Sequence, residues 1–314
     1  MGKFKLNSKN LQLLELLDVN SRATLGFLAK KLNLSKQAIR IKINGFIQKG
    51  IILNYVSIID FFKLGYNNAH LYLMLQGIEK KTYNKTIEEL KKLKEIAWIA
   101  ELFGEFNLGI SILYKDISEL SEILNKVNKI FGAFIIQKNI YFINKHFISK
   151  IKFISRDSKF IELSHDKKTL NINELDEKIL SEIKNNARFN YFDLSDKFKK
   201  KPETIKKHIL FLENENIIRG YKILLNYNGL GYLWNLCILK IFPAKSLSGL
   251  LASLKKEKRI PFVSVTIENN LIIDFLSADY QELRDFLNLL KERYKEIENY
   301  KILNIDKLIK LKEV

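Results

Sequence analysis

Ser35-Lys36-Gln37-Ala38-Ile39-Arg40-Ile41-Lys42-Ile43-Asn44-Gly45-Phe46-Ile47-Gln48, closed by Gly50-Ile51-Ile52, is the stretch that decides the fold of this chain. Ile39, Ile43, Phe46 and Ile47 recur at helical spacing, so one face of the segment is apolar. Ser35 is a good N-cap for that helix and Gly50 a natural stop. The run from Ile51 to Ile59 then changes to β-rich composition and predicts a short wing. Upstream, Leu11, Leu13, Leu14 and Leu17 mark a first amphipathic helix, and Leu25 to Lys31 a second, with the turn Leu32-Asn33-Leu34 before Ser35. Three helices followed by a β-wing predict a winged helix-turn-helix.

The same segment is written twice. Residues 6–73 align with 172–239 without a gap at an offset of 166, pairing Leu14 with Leu180, Asn20 with Asn186, Arg22 with Arg188 and Leu28 with Leu194. Ile39, Ile43 and Tyr55 meet Ile205, Ile209 and Tyr221, and Leu64-Gly65-Tyr66 meets Leu230-Gly231-Tyr232. An apolar skeleton kept while the polar residues between its members diverge means one fold used twice. Pro202 falls in the first turn of the second copy's third helix, where proline is best tolerated. After each wing the pattern becomes a ferredoxin-like βαββαβ, with first-copy strands near Ala69–Gln76, Ala97–Phe103, Leu108–Tyr114 and Phe134–Ile143. The second copy's strands are expected near Leu233–Ile241, Val263–Ile267, Leu271–Leu276 and Lys301–Ile305. The fold class is therefore α+β, in two tandem units. The expected boundaries are a winged domain over 1–65, a βαββαβ domain over 66–145, a connector over 146–170, a second winged domain over 171–231 and a second βαββαβ domain over 232–314. Within the connector, Phe147 to Ile154 has the composition of an extra strand.

Composition narrows the functional classes. Hydrophobic residues at 47% and charged residues at 28% describe a globular chain rather than a disordered one. No run approaches the ~18 apolar residues of a membrane span, and the first residues lead into no signal-peptide apolar region, so the expected location is cytoplasmic with no membrane partner. Cys237 stands alone in an apolar run, which excludes a disulfide or a cysteine zinc cluster within the chain. His70, His146, His165 and His208 show no i, i+4 pairing, so no metal, cofactor or catalytic constellation is expected. A net charge of +18 points to an anionic partner, although abundant Lys, Ile and Asn beside scarce Arg, Ala and Pro suggest that AT-rich coding supplies part of it. Its distribution is more telling. Residues 1–60 carry 10 Lys and Arg against 3 Asp and Glu, whereas residues 171–226 carry 11 against 9.

Asn-x-Arg before the second helix, a Leu-Ser entry to the third, a Gly-Ile-Ile wing and Leu-Gly leading into βαββαβ make the chain resemble the Lrp/AsnC transcription regulators, twice over. The resemblance implies winged domains that bind double-stranded DNA, βαββαβ domains that dimerise and often bind an amino-acid effector, and a dimer joined into one polypeptide. One chain would then be a pseudo-dimer, with further homo-oligomers open. If Ile39, Ile43 and Phe46 face the core, the opposite helix face carries Gln37, Ile41, Asn44 and Gln48, with Arg40 at its edge. Gln and Asn read adenine edges and Arg reads guanine or holds phosphate, so Ser35, Lys36, Gln37, Arg40, Lys42 and Asn44 are the expected DNA contacts of copy one. In copy two, Lys200, Lys201, Lys206 and Lys207 suit phosphate contact. There Leu210 and Phe211 replace Asn44 and Gly45, and Glu203 replaces Gln37. Copy one is accordingly the expected main reader.

Family members commonly carry Gly-x-Tyr-Asp between the second and third strands. Copy one has Gly104-Glu105-Phe106-Asn107, which makes Gly104, Phe106 and Asn107 the expected effector residues, or else a tight turn alone; copy two has Glu268-Asn269-Asn270. Arg22 and Arg188 fit either a structural hydrogen-bonding role or DNA contact, and Tyr55 and Tyr221 fit wing packing. Two other readings stay open. Siroheme decarboxylases share this two-domain plan, but their histidine- and arginine-bearing segment has no counterpart at Glu105-Phe106-Asn107 or Glu268-Asn269-Asn270. An architectural or protein-interaction module would account for Leu210 and Phe211.

Overall fold

The computed structural model describes residues 7–149, 160–165, 169–184, 186–242 and 247–311. Head one comprises α1 (Ser8–Val19), α2 (Leu25–Leu32), α3 (Lys36–Gln48) and the wing strand β1 (Ile52–Ile59). Asn7, Thr24 and Ser35 cap its three helices, each side chain accepting a backbone N–H three residues on, from Asn10, Phe27 and Ala38. Head two repeats the plan with α6 (Glu174–Ile183), α7 (Tyr191–Phe198), α8 (Pro202–Asn214) and β7 (Ile218–Leu225). Here Asn173 and Asp176 form a reciprocal capping box, while Lys201 precedes Pro202 without a side-chain cap. The repeat extends to the backbone: Asn33 and Lys199 end α2 and α7 at φ of 50° and 52°, and Gly50 and Asn216 follow α3 and α8 at 66° and 55°. Asparagine replaces glycine there because its short polar side chain tolerates the left-handed region.

The two wings do not stand apart. β1 and β7 pair antiparallel, Ile52 opposite Leu225 and Ile59 opposite Ile218, so the ladder is self-complementary at the 166-residue offset. Ile223 and Leu225 of β7 enter the core of head one, beside Leu13, Leu17 and Ile43, and Ile59 of β1 enters the core of head two beside Ile179 and Ile209. Each head thus borrows apolar surface from the other copy's wing.

Below the heads, unit one runs β2 (Asn67–Leu75), α4 (Lys80–Lys92), β3 (Ile96–Gly104), β4 (Leu108–Tyr114), α5 (Ile117–Phe131) and β5 (Ile135–Ser149). After β6 (Phe160–Ser164) and head two, unit two runs β8 (Leu233–Ile241), α9 (Leu247–Leu254), β9 (Phe262–Thr266), β10 (Leu271–Ser277), α10 (Tyr280–Arg293) and β11 (Ile297–Leu311). Each unit has the ferredoxin-like order, β5-β2-β4-β3 and β11-β8-β10-β9. The long fourth strands then cross over: β11 pairs with β3 and β5 with β9, closing eight strands into an antiparallel barrel. Helices α4 and α5 cover one outer face and α9 and α10 the other. The barrel interior is a further core holding Tyr72, Phe106, Leu236, Ile272 and Leu303. Strands buried on both faces read as nearly continuous apolar runs, as Leu108–Tyr114 and Leu271–Ser277 do.

The connector departs from expectation. The strand expected to end at Ile143 continues unbroken to Ser149, because once β2 leaves its edge, β9 still pairs on the other side and β6 takes up the vacated edge. The extra strand is therefore β6 rather than Phe147–Ile154, of which residues 150–154 lie outside the described part. The fourth strand of unit two likewise extends from Ile297 to Leu311, well beyond Lys301–Ile305.

Candidate nucleic-acid interface

The amphipathic pattern of α3 turns Ile39, Ile43 and Phe46 inward, and this leaves Lys36, Gln37, Arg40, Ile41, Asn44 and Gln48 exposed. Ile41 is 63% exposed, a large apolar side chain presented outward from a helix with a filled core face. Ser35 sits at the helix start, its hydroxyl accepting the Ala38 N–H at 3.1 Å. Lys36 and Arg40 have no carboxylate partner among the described residues, so their charges are available. Lys42 is placed differently. Its ammonium donates to Asn10 Oδ1 of α1 at 2.9 Å, which turns it away from the exposed face. Copy two makes the equivalent tie with other chemistry, His208 Nδ1 to Asp176 Oδ1 at 2.7 Å. Both pairs fasten the third helix to the first, a role for Lys42 that helix-wheel reasoning did not assign.

On α8 the exposed face carries Glu203, Lys206, Lys207, Leu210 and Phe211, with Lys200 and Lys201 just before it. The four lysines are exposed and without a carboxylate partner among the described residues. Leu210 and Phe211 are 44% and 40% exposed and line a shallow surface groove with Glu203, Asn214 and Glu215. The two faces share a backbone and a core but differ in chemistry: amide and guanidinium groups on one, ammonium groups and hydrocarbon on the other.

Arg22 and Arg188 lie between the heads. The Arg22 guanidinium donates to the carbonyls of Ala187 at 2.8 Å and Phe189 at 3.3 Å and lies 3.6 Å over the Phe189 ring. Arg188 reciprocates more weakly, donating to the Ala23 carbonyl at 3.3 Å and lying 5.2 Å from the Tyr55 ring. The residue between Asn and Arg joins in, since Ser21 N–H donates to Tyr221 O and Ala187 N–H to Tyr55 O. Asn-x-Arg is thus a clasp across the pseudo-two-fold, and Tyr55 and Tyr221 are its wing counterparts. The Tyr221 hydroxyl donates a hydrogen bond to the Glu213 carboxylate at 2.6 Å, and burial together with that carboxylate raises its phenol well above the usual range.

The expected effector residues are occupied structurally. Gly104 adopts φ of 142°, and a Cβ there would come within 2.9 Å of the Ile302 carbonyl, so glycine lets β3 approach β11. Phe106 is fully buried in the barrel interior. Asn107 spends its amide on the backbone of Leu75, accepting from its N–H at 2.9 Å and donating to its carbonyl at 2.7 Å. Asn270 takes the same post in unit two, its Oδ1 accepting from the Ile241 N–H at 3.1 Å. The two turns share a strand-end clamp despite different sequences.

A family model for winged helix-turn-helix DNA-binding domains matches residues 172–219. The HTH-type transcriptional regulator LrpA of Pyrococcus horikoshii is 30% identical over 132 residues, covering 41% of this chain and 90% of its own. A further HTH-type transcriptional regulator, from Pyrococcus furiosus and itself uncharacterized, is 32% identical over 114 residues, 36% of this chain and 74% of its own. The chain belongs to the Lrp/AsnC family. These Lrp/AsnC relatives match well under half of it with most of their own length, as expected where one chain holds two units. Lrp/AsnC proteins are DNA-binding transcription regulators, and the winged helix-turn-helix heads are the elements concerned. The solved structure of the siroheme decarboxylase NirDL aligns over 97% of this chain and 93% of its own, at TM-score 0.64 and 12% identity, which is a likeness of fold. Among the described residues, no helix is long and apolar enough to cross a membrane and no group of three or more His, Cys, Asp or Glu is arranged to hold a metal ion.

Proposed function

We propose that this chain is a DNA-binding transcription regulator in which a single polypeptide supplies both halves of an Lrp/AsnC-type dimer, with head one as the main base reader. The observation that carries the reading is the exposed face of α3, where Gln37, Arg40, Ile41 and Asn44 offer bidentate, cationic and methyl-contacting groups on a well-capped helix. Amide and guanidinium side chains read base edges, and an outward Ile meets a thymine methyl. Ser35 and Lys36 at the helix start suit a backbone phosphate. Lys42 leaves the proposed contact set because Asn10 holds it. Head two contributes through Lys200, Lys201, Lys206 and Lys207, which act on phosphate and carry little sequence information. The β1–β7 ladder and the crossed barrel strands support the fused dimer, since each joins copy one to copy two.

Selection of bound fragments from random DNA, followed by fluorescence titration of a selected and a scrambled fragment across a salt series, tests this reading. Tighter binding to the selected fragment, with log affinity falling linearly as log salt rises, is expected. Salt-insensitive binding, or equal affinity for both fragments, would overturn it and favour an architectural module. The enzyme alternative has the NirDL fold in its favour. Glu105, at the turn where that chemistry would need His or Arg, is engaged with Lys301 and Gln137 at 2.8 and 2.9 Å. An absorbance scan with siroheme discriminates: no retained Soret shift is expected.

A further inference from the structure

Under β7 and inside the barrel lies a cavity of about 120 Å³. Apolar cavities of about this size hold a benzene-sized molecule. Tyr72, Trp98, Trp234 and Phe262 supply ring surfaces to its wall, and His70, His146, Asn68, Lys222, Ser264 and Asp274 supply polar atoms. These six, and Ser111, which also lines the cavity, are each at least nine-tenths buried. Buried polar groups are normally spent on one another. Some of these are: His146 Nδ1 meets the Ser264 hydroxyl at 2.9 Å and Nε2 meets Asn68 Oδ1 at 3.0 Å, while the Trp234 indole N–H donates to Asp274 Oδ2 at 2.9 Å. Two are not. The one hydrogen bond of His70 is a long 3.4 Å contact with the Tyr72 hydroxyl, and Asp274 Oδ1 has no partner among the described residues.

We propose that this cavity is a binding site for a small single-ring aromatic amine, its ring against the tryptophan and tyrosine faces and its ammonium on the Asp274 carboxylate. The charges around the site select a cation. Lys222, the nearby ammonium, sits 4.0 Å from Asp18 of α1 and donates to the Ser149 carbonyl at 3.4 Å, so a carboxylate already faces it. Both cavity histidines are held neutral by burial, His70 down to about 4 and His146 well below its usual value, and add no positive charge. The Tyr72 phenol of β2 and the Cys237 thiol, which lies on the outer face of β8, are both pushed up by burial and by the Asp274 charge, so they stay protonated. Burial pushes the Asp274 carboxyl up to about 7, against the opposing pull of the Trp234 N–H and Lys222. Lys222 is shared with Asp18, so a ligand ammonium adds positive charge at the Asp274 oxygen that no donor occupies, and aromatic faces attract cations in a desolvated setting. A carboxylate ligand would meet Asp274 as a like charge.

The site is asymmetric across the pseudo-two-fold. Asn68 and Ser111, bonded at 2.8 Å, occupy in unit one the cross-strand place that Trp234 and Asp274 occupy in unit two. Its roof includes Lys222 and Leu224 of β7, the strand that clasps β1, so occupancy reaches the joint between the heads. That last consequence rests on the DNA-binding reading; the binding site itself does not, and its test uses no DNA.

Trp98 and Trp234 are the two tryptophans of the chain, and both line the cavity, so indole emission reports it directly. The full chain is titrated with benzylamine, benzyl alcohol and benzoate at pH 6 and pH 8. Benzylamine should change the emission saturably and bind about tenfold more tightly at pH 8, where a carboxyl titrating near 7 is ionised. Benzoate should not saturate. Asp274→Asn should remove the pH dependence and weaken benzylamine at least tenfold, while Asp285→Asn on the outer helix leaves both unchanged. If Asp274→Asn does not fold, the wild-type ratio between the two pH values decides alone. Benzoate binding as tightly as benzylamine, pH-independent binding, or no saturable change would each overturn the proposal.

Discussion

Head one and head two occupy equivalent places on the same scaffold, which keeps its backbone and its ties while the outward faces of the third helices have changed in character. Their cores, their left-handed turns and the ties between first and third helices correspond position by position, even where the chemistry changes from Lys42–Asn10 to His208–Asp176. On the outward faces, Gln37 has become Glu203, Arg40 has become Lys206 and Asn44 has become Leu210. The proposed covalent fusion would explain how that freedom arises. In a homodimer one sequence must serve both halves, whereas in a fused pair each half varies alone, in the heads and at the Asn68–Ser111 and Trp234–Asp274 pairs of the barrel alike.

The largest expected effect probes the barrel half of this contrast. Asp274 is raised in the folded chain, from 3.8 to about 7, so the native state binds the extra proton between those values and loses stability as pH rises through them. Asp274→Asn should therefore melt higher than wild type at pH 8, by up to ~4 kcal/mol, and the difference should vanish below pH 4. Thermal melts across pH measure it, and an unchanged difference at both ends would break the assignment. His70 runs the other way: its folded value is depressed to about 4, so its contribution is intact above 6.5 and is lost, by ~3 kcal/mol, as pH falls toward 4. The Asp274→Asn chain, without the opposing carboxyl, should show that acid loss openly.

Next in size is the clasp. Arg22→Ala removes two charge-assisted bonds and a stacked ring contact and should cost ~3 kcal/mol in denaturant unfolding, against ~1 kcal/mol for Arg188→Ala, whose bond is longer and whose ring is farther away. Equal costs would mean that the two sides of the clasp are not unequal. The smallest effect sharpens the role of Lys42. Lys42→Ala should cost ~1 kcal/mol of stability through the lost tie to Asn10 and leave the salt slope of DNA binding unchanged. A slope reduced by one phosphate contact would return Lys42 to the interface.

The sequence was legible wherever contacts are local. Helix periodicity, N-caps and the offset of 166 residues give both heads and both βαββαβ units, because each element depends on neighbours a few residues away. What escaped depends on pairing across more than a hundred residues: the β1–β7 ladder, the exchange that carries Ile223 into head one, and closure of the barrel through β3–β11 and β5–β9. Arg22 was readable as a repeated residue but not as a clasp, since its partners lie on the other copy. Asn107 and Asn270 share a post that no motif announces, because the turns that present them differ in length and composition. The cavity was hidden for a related reason. His70, His146, Lys222 and Asp274 sit far apart in the chain, His70 and Asp274 in expected strands, Lys222 in the expected wing and His146 in the expected connector.

The central claim, two unequal heads on one repeated scaffold, is tested most directly by paired substitution on a DNA site selected with the full wild-type chain. Affinities are measured by fluorescence titration for the Arg40→Ala, Asn44→Ala chain and for the Lys206→Ala, Leu210→Ala chain, on the selected site and on a scrambled one. Loss of base contacts in head one should weaken the selected site by about 10- to 1000-fold and erase its advantage over the scrambled site. The head-two pair should weaken both sites alike, by less than about tenfold, with a salt slope shallower by ~1. Equal loss of discrimination from the two pairs would contradict the account.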